Sequence, residues 1–171
     1  MDAPGRFDAA TAFAGVPFDT TEVRWFVEGS LPDSYVDWVS SAGKKAIVEI
    51  RGDKYWVDGI HSSGLKWRGH GPLGIKLRRD SAGFLDLGNG ARGRIEEWRK
   101  ICPVEPGSAS LGQRGEWCEV QKVVLTRPYG VHLAGTVGPL NSRDLAVSGC
   151  DVELASVMVA GTEAWTFALE A

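Results

Sequence analysis

Charged side chains recur at mid-strand positions of this chain, and their spacing is what could do chemistry. Lys76 and Arg78 alternate with Ile75 and Leu77, while Arg94, Glu96, Trp98 and Lys100 share one side of a period-two segment. Glu22 and Arg24 share a face, Asp151 and Glu153 oppose Val152 and Leu154, and Glu170 falls with Thr166 and Ala168 rather than with Trp165, Phe167 and Leu169. Lys122 interrupts an apolar run that ends at Arg127. Carboxylates placed this way offer hard oxygen ligands to a divalent cation. Lysine and arginine neutralise phosphate oxygens, arginine in bidentate fashion. On any one strand the ordinary explanation is a sheet with a core face and a wet face. The sharper one is that all these faces line one barrel, whose lumen would suit a nucleotide or polyphosphate. Periodicity fits both.

The elements that must position these residues are short strands. Residues 21–28, 46–51, 54–58, 64–68, 73–79, 92–101, 117–127, 151–159 and 164–170 read as strands, with a hairpin turn at Ala160–Glu163 and another at Gly88-Asn89-Gly90. One helix is expected after Ser30, with Ser30 as cap, Pro32 in the first turn, apolar spacing through Leu31, Tyr35, Trp38 and Val39, and Gly43 as its end. Residues 1–20 read as a loosely ordered lead-in, and 21–171 as a single domain. Residues 103–116 and 130–149 read as loops, the second with a helical turn near 143–147. The expectation is a mainly β (α+β) fold: an antiparallel barrel of about eight strands, closed or nearly so, because closure removes sheet edges.

Composition narrows the function classes. A length of 171 residues suits one domain, and a net charge of −3 provides no global positive field to gather nucleic acid. Cys102, Cys118 and Cys150 show no metal-site spacing and are odd in number, which fits reduced thiols in the cytoplasm. No apolar run approaches the roughly 20 residues of a spanning helix, and the N-terminus has no secretory pattern. His61, His70 and His132 show no metal-ligand spacing. Trp38 and Trp165 read as core, whereas Trp98, beside Arg94 and Lys100, could stack on a base.

The order of these segments resembles the CYTH superfamily of triphosphate tunnel proteins, which includes CyaB-type adenylate cyclases and thiamine triphosphatases. Glu22-Val23-Arg24-Trp25-Phe26 stands where that family carries a Glu-x-Glu-x-Lys strand. Lys54–Asp58, Leu73–Arg78, Gly93–Lys100, Glu119–Lys122 with Arg127, Cys150–Leu154 and Phe167–Glu170 are similar to its later segments, so the likeness spans residues 21–170. It lies in element order more than in any one string. The resemblance implies an eight-stranded tunnel that binds a small phosphorylated ligand. Arg24, Lys76, Arg78, Arg94, Lys100, Lys122 and Arg127 would grip phosphate, and Glu22, Glu153 and Glu170 would hold Mg²⁺ or Mn²⁺ for triphosphate hydrolysis.

Two departures shape the expectation. Arg24 replaces the family's second glutamate and Phe26 its lysine. An arginine cannot ligate a metal and disfavours a cation beside it. Binding with weak or absent turnover is therefore expected. The alternative is a structural or protein-interaction barrel with no phosphate ligand.

Overall fold

A computed structural model of the chain describes residues 17–41, 46–57, 63–69, 73–88, 90–104, 116–131, 136–140 and 148–171, without the side chains of 102–104. Period-two alternation is realised almost throughout. The elements are β1 (Phe18–Glu28), α1 (Asp33–Ser41), β2 (Ile47–Val57), β3 (Ser63–Arg68), β4 (Leu73–Asp86), β5 (Arg92–Val104), β6 (Glu116–Val131), β7 (Val137–Pro139), β8 (Gly149–Val159) and β9 (Thr162–Glu170). Eight of them close an antiparallel barrel in the order β2-β3-β4-β5-β1-β9-β8-β6, with β6 returning to β2, and β7 lies on the end of β6.

Several boundaries differ from the sequence expectation for identifiable reasons. β1 begins at Phe18, inside the stretch read as a lead-in, because Phe18–Glu22 already pair with β5. The two runs expected at 46–51 and 54–58 are one strand: Gly52 and Asp53 continue the ladder opposite Gln121 and Val120. β4 outruns its expected end at Arg79 because two register shifts, between Arg78 and Asp80 and between Ser81 and Gly83, bend it without ending the pairing. β7 lies in a stretch read as loop, and the helical turn expected near 143–147 lies outside the described residues. Ser30 is not the helix cap. Its hydroxyl donates to Glu163 Oε2 at 2.7 Å, and the helix opens instead on Pro32, whose carbonyl accepts from Tyr35 N–H.

The hydrophobic core lies outside the barrel. α1 covers the outer faces of β6, β8 and β9, and Val39 is buried there with Leu125, Val152, Leu154 and Trp165. Tyr35 packs on Trp165 with ring centroids 5.1 Å apart, and Trp38, half exposed, lies 6.3 Å from Phe167. Trp165 is thus core, as expected, whereas Trp38 is a flank of it. On the neighbouring outer surface Trp25 donates its indole N–H to the Arg92 carbonyl at 3.2 Å. Its ring and the Val23 side chain occupy the space a Cβ on Gly93 would need, so only glycine fits there without displacing both.

The β8–β9 turn is a two-residue connection with positive φ at both Ala160 (48°) and Gly161 (83°), the mirror-image turn that matches strand twist. Ala160 is the only described non-glycine residue with positive φ. Left-handed backbone costs an L-residue about 1–2 kcal/mol, against about 0.5–1 kcal/mol of extra chain entropy for glycine. Ala160→Gly should therefore raise unfolding stability by about 0.5–1 kcal/mol, read as a higher urea midpoint at unchanged slope.

Candidate functional site: the barrel lumen

Because partners across an antiparallel ladder share a face, the register fixes which side chains line the lumen. Glu96, Glu22, Glu170 and Asp151 stand abreast across β5, β1, β9 and β8. Like charges directly opposite one another repel, and basic residues on the same face offset this. Arg78 Nη1 meets Glu96 Oε1 at 3.0 Å, Lys76 Nζ meets Glu22 Oε2 at 2.5 Å, and Lys100 Nζ meets Glu170 Oε1 at 2.5 Å.

Arg24 ties this wall to β8. Its Nε donates to Glu22 Oε1 at 2.8 Å, and its Nη1 donates to Glu153 Oε1 at 2.7 Å and to Thr166 Oγ1 at 3.2 Å. The reach is possible because the intervening β9 position, the register partner of both Arg24 and Glu153, is the fully buried Ala168. Burial alone would raise the Glu22 pKa, but Arg24 and Lys76 overcome it and hold the carboxyl at about 2. The same contest keeps Glu153 below the usual carboxylate range and raises Arg24 above its ordinary value.

The opposite wall, from β2, β3 and β6, centres on Asp53, only 1% exposed. Lys66 Nζ lies 2.9 Å from Asp53 Oδ2, Lys122 Nζ 3.8 Å away, and Arg51 Nε 3.3 Å from Oδ1. Arg51 also pairs with Glu49. Lys122 donates to the Tyr55 hydroxyl at 2.7 Å, which in turn donates to Asp53 at 3.2 Å. Burial, reinforced by Asp53, pushes the Tyr55 phenol up. Burial and the adjacent Arg68 pull Lys66 down to about 7 even though Asp53 favours its charge. The two walls face each other: Lys122 and Lys66 both help to depress Glu153.

Most of the residues singled out in the sequence meet in this lumen: Glu22, Arg24, Lys76, Arg78, Lys100, Lys122, Glu153 and Glu170. Two basic residues do not meet there. Arg127 is five positions from Lys122, an odd offset, and so lies on the outer face. It is 1% exposed, and its Nη2 donates to the Ser40 carbonyl at 3.4 Å, beside the C-terminal turn of α1. Helix C-termini attract cations, so the placement is physically sensible for a structural residue. Arg94 keeps the lumen-side face but sits at the mouth, exposed, with its guanidinium 6.0 Å from the Phe84 ring and Arg92 closer at 4.2 Å. Trp98 points inward, but Lys76 Nζ covers its ring at 4.3 Å, leaving that face closed to a base.

Asp53, Lys66, Arg51 and Tyr55 are not among the site residues expected from the sequence. Dividing the stretch into strands at 46–51 and 54–58 separates Arg51, Asp53 and Tyr55, which alternate along one continuous strand. Reading the strand through Gly52 exposes that alternation.

The carboxylates expected to hold a metal are engaged by cations: Arg24 lies between Glu22 and Glu153, and Lys100 holds Glu170. This arrangement does not fit a divalent ion, and among the described residues no group of three or more His, Cys, Asp or Glu is arranged to hold one. His61, His70 and His132 lie outside the described residues. No described helix is long and apolar enough to cross a membrane. No protein-family model and no curated protein sequence matches the chain.

Glu22 gives a signed pH test. Its folded pKa of about 2 lies below the reference value of 4.5. Its contribution is fully present above pH 4.5 and lost as pH falls through about 2. Glu22→Gln should cost on the order of 2–3 kcal/mol near neutrality. The gap between wild type and variant should narrow as urea melts are repeated from pH 5 toward pH 2. A gap that stays constant would mean the carboxylate is not held by these cations.

Proposed function

We propose that the chain is a divergent triphosphate-tunnel-like protein that binds a small phosphorylated anion, a nucleotide or polyphosphate, in the barrel lumen, with weak or absent hydrolysis. The observation that carries this reading is the Asp53 wall, where one buried carboxylate is shared by Arg51, Lys66 and Lys122. Such an excess of cations is costly to desolvate without further negative charge. A phosphorylated ligand supplies that charge. Its oxygens would take donors from Lys66 and Lys122 on one wall, and from Lys76, Arg78 and Lys100 as these exchange carboxylates for phosphate on the other.

Catalysis is the weaker part of the family's repertoire to survive here. Metal-assisted hydrolysis needs carboxylates free to ligate, and Arg24 engages two of them. A reducing cytoplasmic setting suits Cys118 and Cys150, which are not in a disulfide. The structural reading of the barrel draws on the same internal ion pairs, since a lumen that neutralises itself can persist without a ligand.

Titration calorimetry with tripolyphosphate and with ATP tests the proposal. Binding by wild type is expected, and Arg78→Ala should weaken it by about 1.5–3 kcal/mol, the scale of a hydrogen bond to a charged group. Equal affinities would place the ligand elsewhere, and no binding by wild type would favour the structural reading. Binding should also take up protons at pH 8, because a polyanion beside Lys66 raises a pKa that stands at about 7. The observed heat will then vary with the ionisation enthalpy of the buffer. A buffer-independent heat would show that Lys66 does not meet the ligand.

Phosphate release with Mg²⁺ or Mn²⁺ should be slow for wild type and faster for the double variant Arg24→Glu, Phe26→Lys. Robust wild-type turnover would overturn the argument from Arg24.

A further inference from the structure

β2 overhangs its neighbour. It pairs with β6 along its whole length, from Ile47↔Thr126 to Val57↔Glu116, whereas β3 meets only Asp53, Lys54 and Tyr55. The Gly69 N–H donates to the Gly52 carbonyl at 2.8 Å, and beyond that bond no described residue pairs with this edge of β2 over residues 47–51.

That one hydrogen bond also fixes which polar groups of this edge have no partner among the described residues. In an antiparallel ladder the N–H and C=O of a residue point to the same neighbour, and successive residues alternate sides. With Gly52 turned toward β3, Ile50 and Val48 turn their backbone groups to the open edge, while Arg51, Glu49 and Ile47 turn theirs to β6. The side chains of those same two residues stand on the outer face of the barrel, where Ile50 is 82% and Val48 55% exposed. Soluble proteins usually blunt such an edge with charged side chains, above all lysine, with proline or with a bulge. Here the two charged residues, Glu49 and Arg51, neutralise each other, and the two residues that turn outward are apolar. Residues 47–51 contain neither lysine nor proline, and their pairing with β6 runs without a register shift.

We propose that this edge is covered by a second copy of the same chain, paired antiparallel about a two-fold axis at Glu49. Val48 of one protomer then lies opposite Ile50 of the partner subunit, and the reverse. Each exchanges an N–H and a carbonyl with the other, so the backbone groups that face the open edge are satisfied reciprocally, as an isologous contact requires. On the outer face, the valine and isoleucine form two cross-strand apolar pairs of a kind that stabilises sheets.

Charge supports the self-pairing. Glu49 meets its own copy at the axis, but each Glu49 is ion-paired with Arg51 of its own strand. That arginine lies diagonal to Glu49 of the partner subunit, so the centre of the contact is neutral. A register shifted to place Ile50 on Ile50 retains a single full pair, because the Gly52 carbonyl is already engaged.

The full chain tests this by sedimentation equilibrium from about 1 μM to about 1 mM, the range of a weak to moderate dimer, with hydrogen exchange read at both ends. Wild type should dimerise, and the amides of Val48 and Ile50 should be protected when concentrated and released on dilution. Ile50→Lys, at a site this exposed, should keep the circular dichroism spectrum and weaken association by about tenfold or more, since an edge lysine disfavours strand pairing. The proposal is overturned if wild type stays monomeric throughout, if Ile50→Lys associates as wild type does, or if protection at Val48 and Ile50 is independent of concentration, which would mean that the chain covers its own edge.

Discussion

The architecture depends on a guanidinium that crosses a strand. Arg24 on β1 reaches over Ala168 of β9 to Glu153 on β8 while holding Glu22 beside it. A charge in so enclosed a place is retained only if its donors are taken and its sign is compensated. Two carboxylates and the Thr166 hydroxyl do this together. The consequence extends through the fold. The lumen-side face holds the ion pairs, with small apolar residues such as Val124, Ala155 and Ala168 between them, so it cannot serve as the main hydrophobic core. The apolar surface must instead be buried outside, under α1, where Leu154 and Trp165 meet Val39.

Alternation is the strongest signal a strand can carry, and it explains what was legible in the sequence. Glu22, Arg24, Lys76, Lys100, Glu153 and Glu170 are spaced by two, or by a multiple of two, from other polar residues of their own strands, so the face each strand presents is legible without knowing the partner strands. The method fails where period two is lost or misjudged. At β2 the strands expected at 46–51 and 54–58 leave out Gly52 and Asp53, residue types that punctuate chains more often than they continue strands. The burial of Asp53 is set by Lys66 on β3 and Lys122 on β6, and no local rule reports such long-range compensation. Arg127 differs from the expectation by parity: it ends the strand that carries Lys122, but an odd offset puts the two on opposite faces. The expected Ser30 cap failed for a similar reason, since Glu163, distant in sequence, takes its hydroxyl.

The lumen ion pairs do not contribute stability in proportion to their number. Removing charges from water costs several kcal/mol per ion, and the attraction regained often no more than balances it. What such pairs supply is position. Lys76 is held between Glu22 and the face of Trp98, and Lys122 between Tyr55 and Asp53. These cations therefore have little rotamer freedom left to lose, and a ligand that accepts from them meets donors whose ordering cost is already met by the fold.

The two walls differ in a way that bears on how an anion would lie between them. On the β1, β5 and β9 side, Glu22, Glu96 and Glu170 each have a lysine or arginine partner, so charge there is nearly balanced strand by strand. On the β2, β3 and β6 side, Asp53 is the one carboxylate paired directly with Lys66 and Lys122, helped at longer range by Glu153, and it shares Arg51 with Glu49. Burial there already drives Lys66 toward its neutral form, which is how a protein limits an excess of buried positive charge. An incoming polyanion relieves that excess directly at the second wall. At the first, it must compete with carboxylates already in place. The most highly charged end of a ligand should therefore settle against Lys66 and Lys122, with its less charged end toward Arg24. There the guanidinium already has its two carboxylate partners, and its fixed positive charge disfavours a cation beside it.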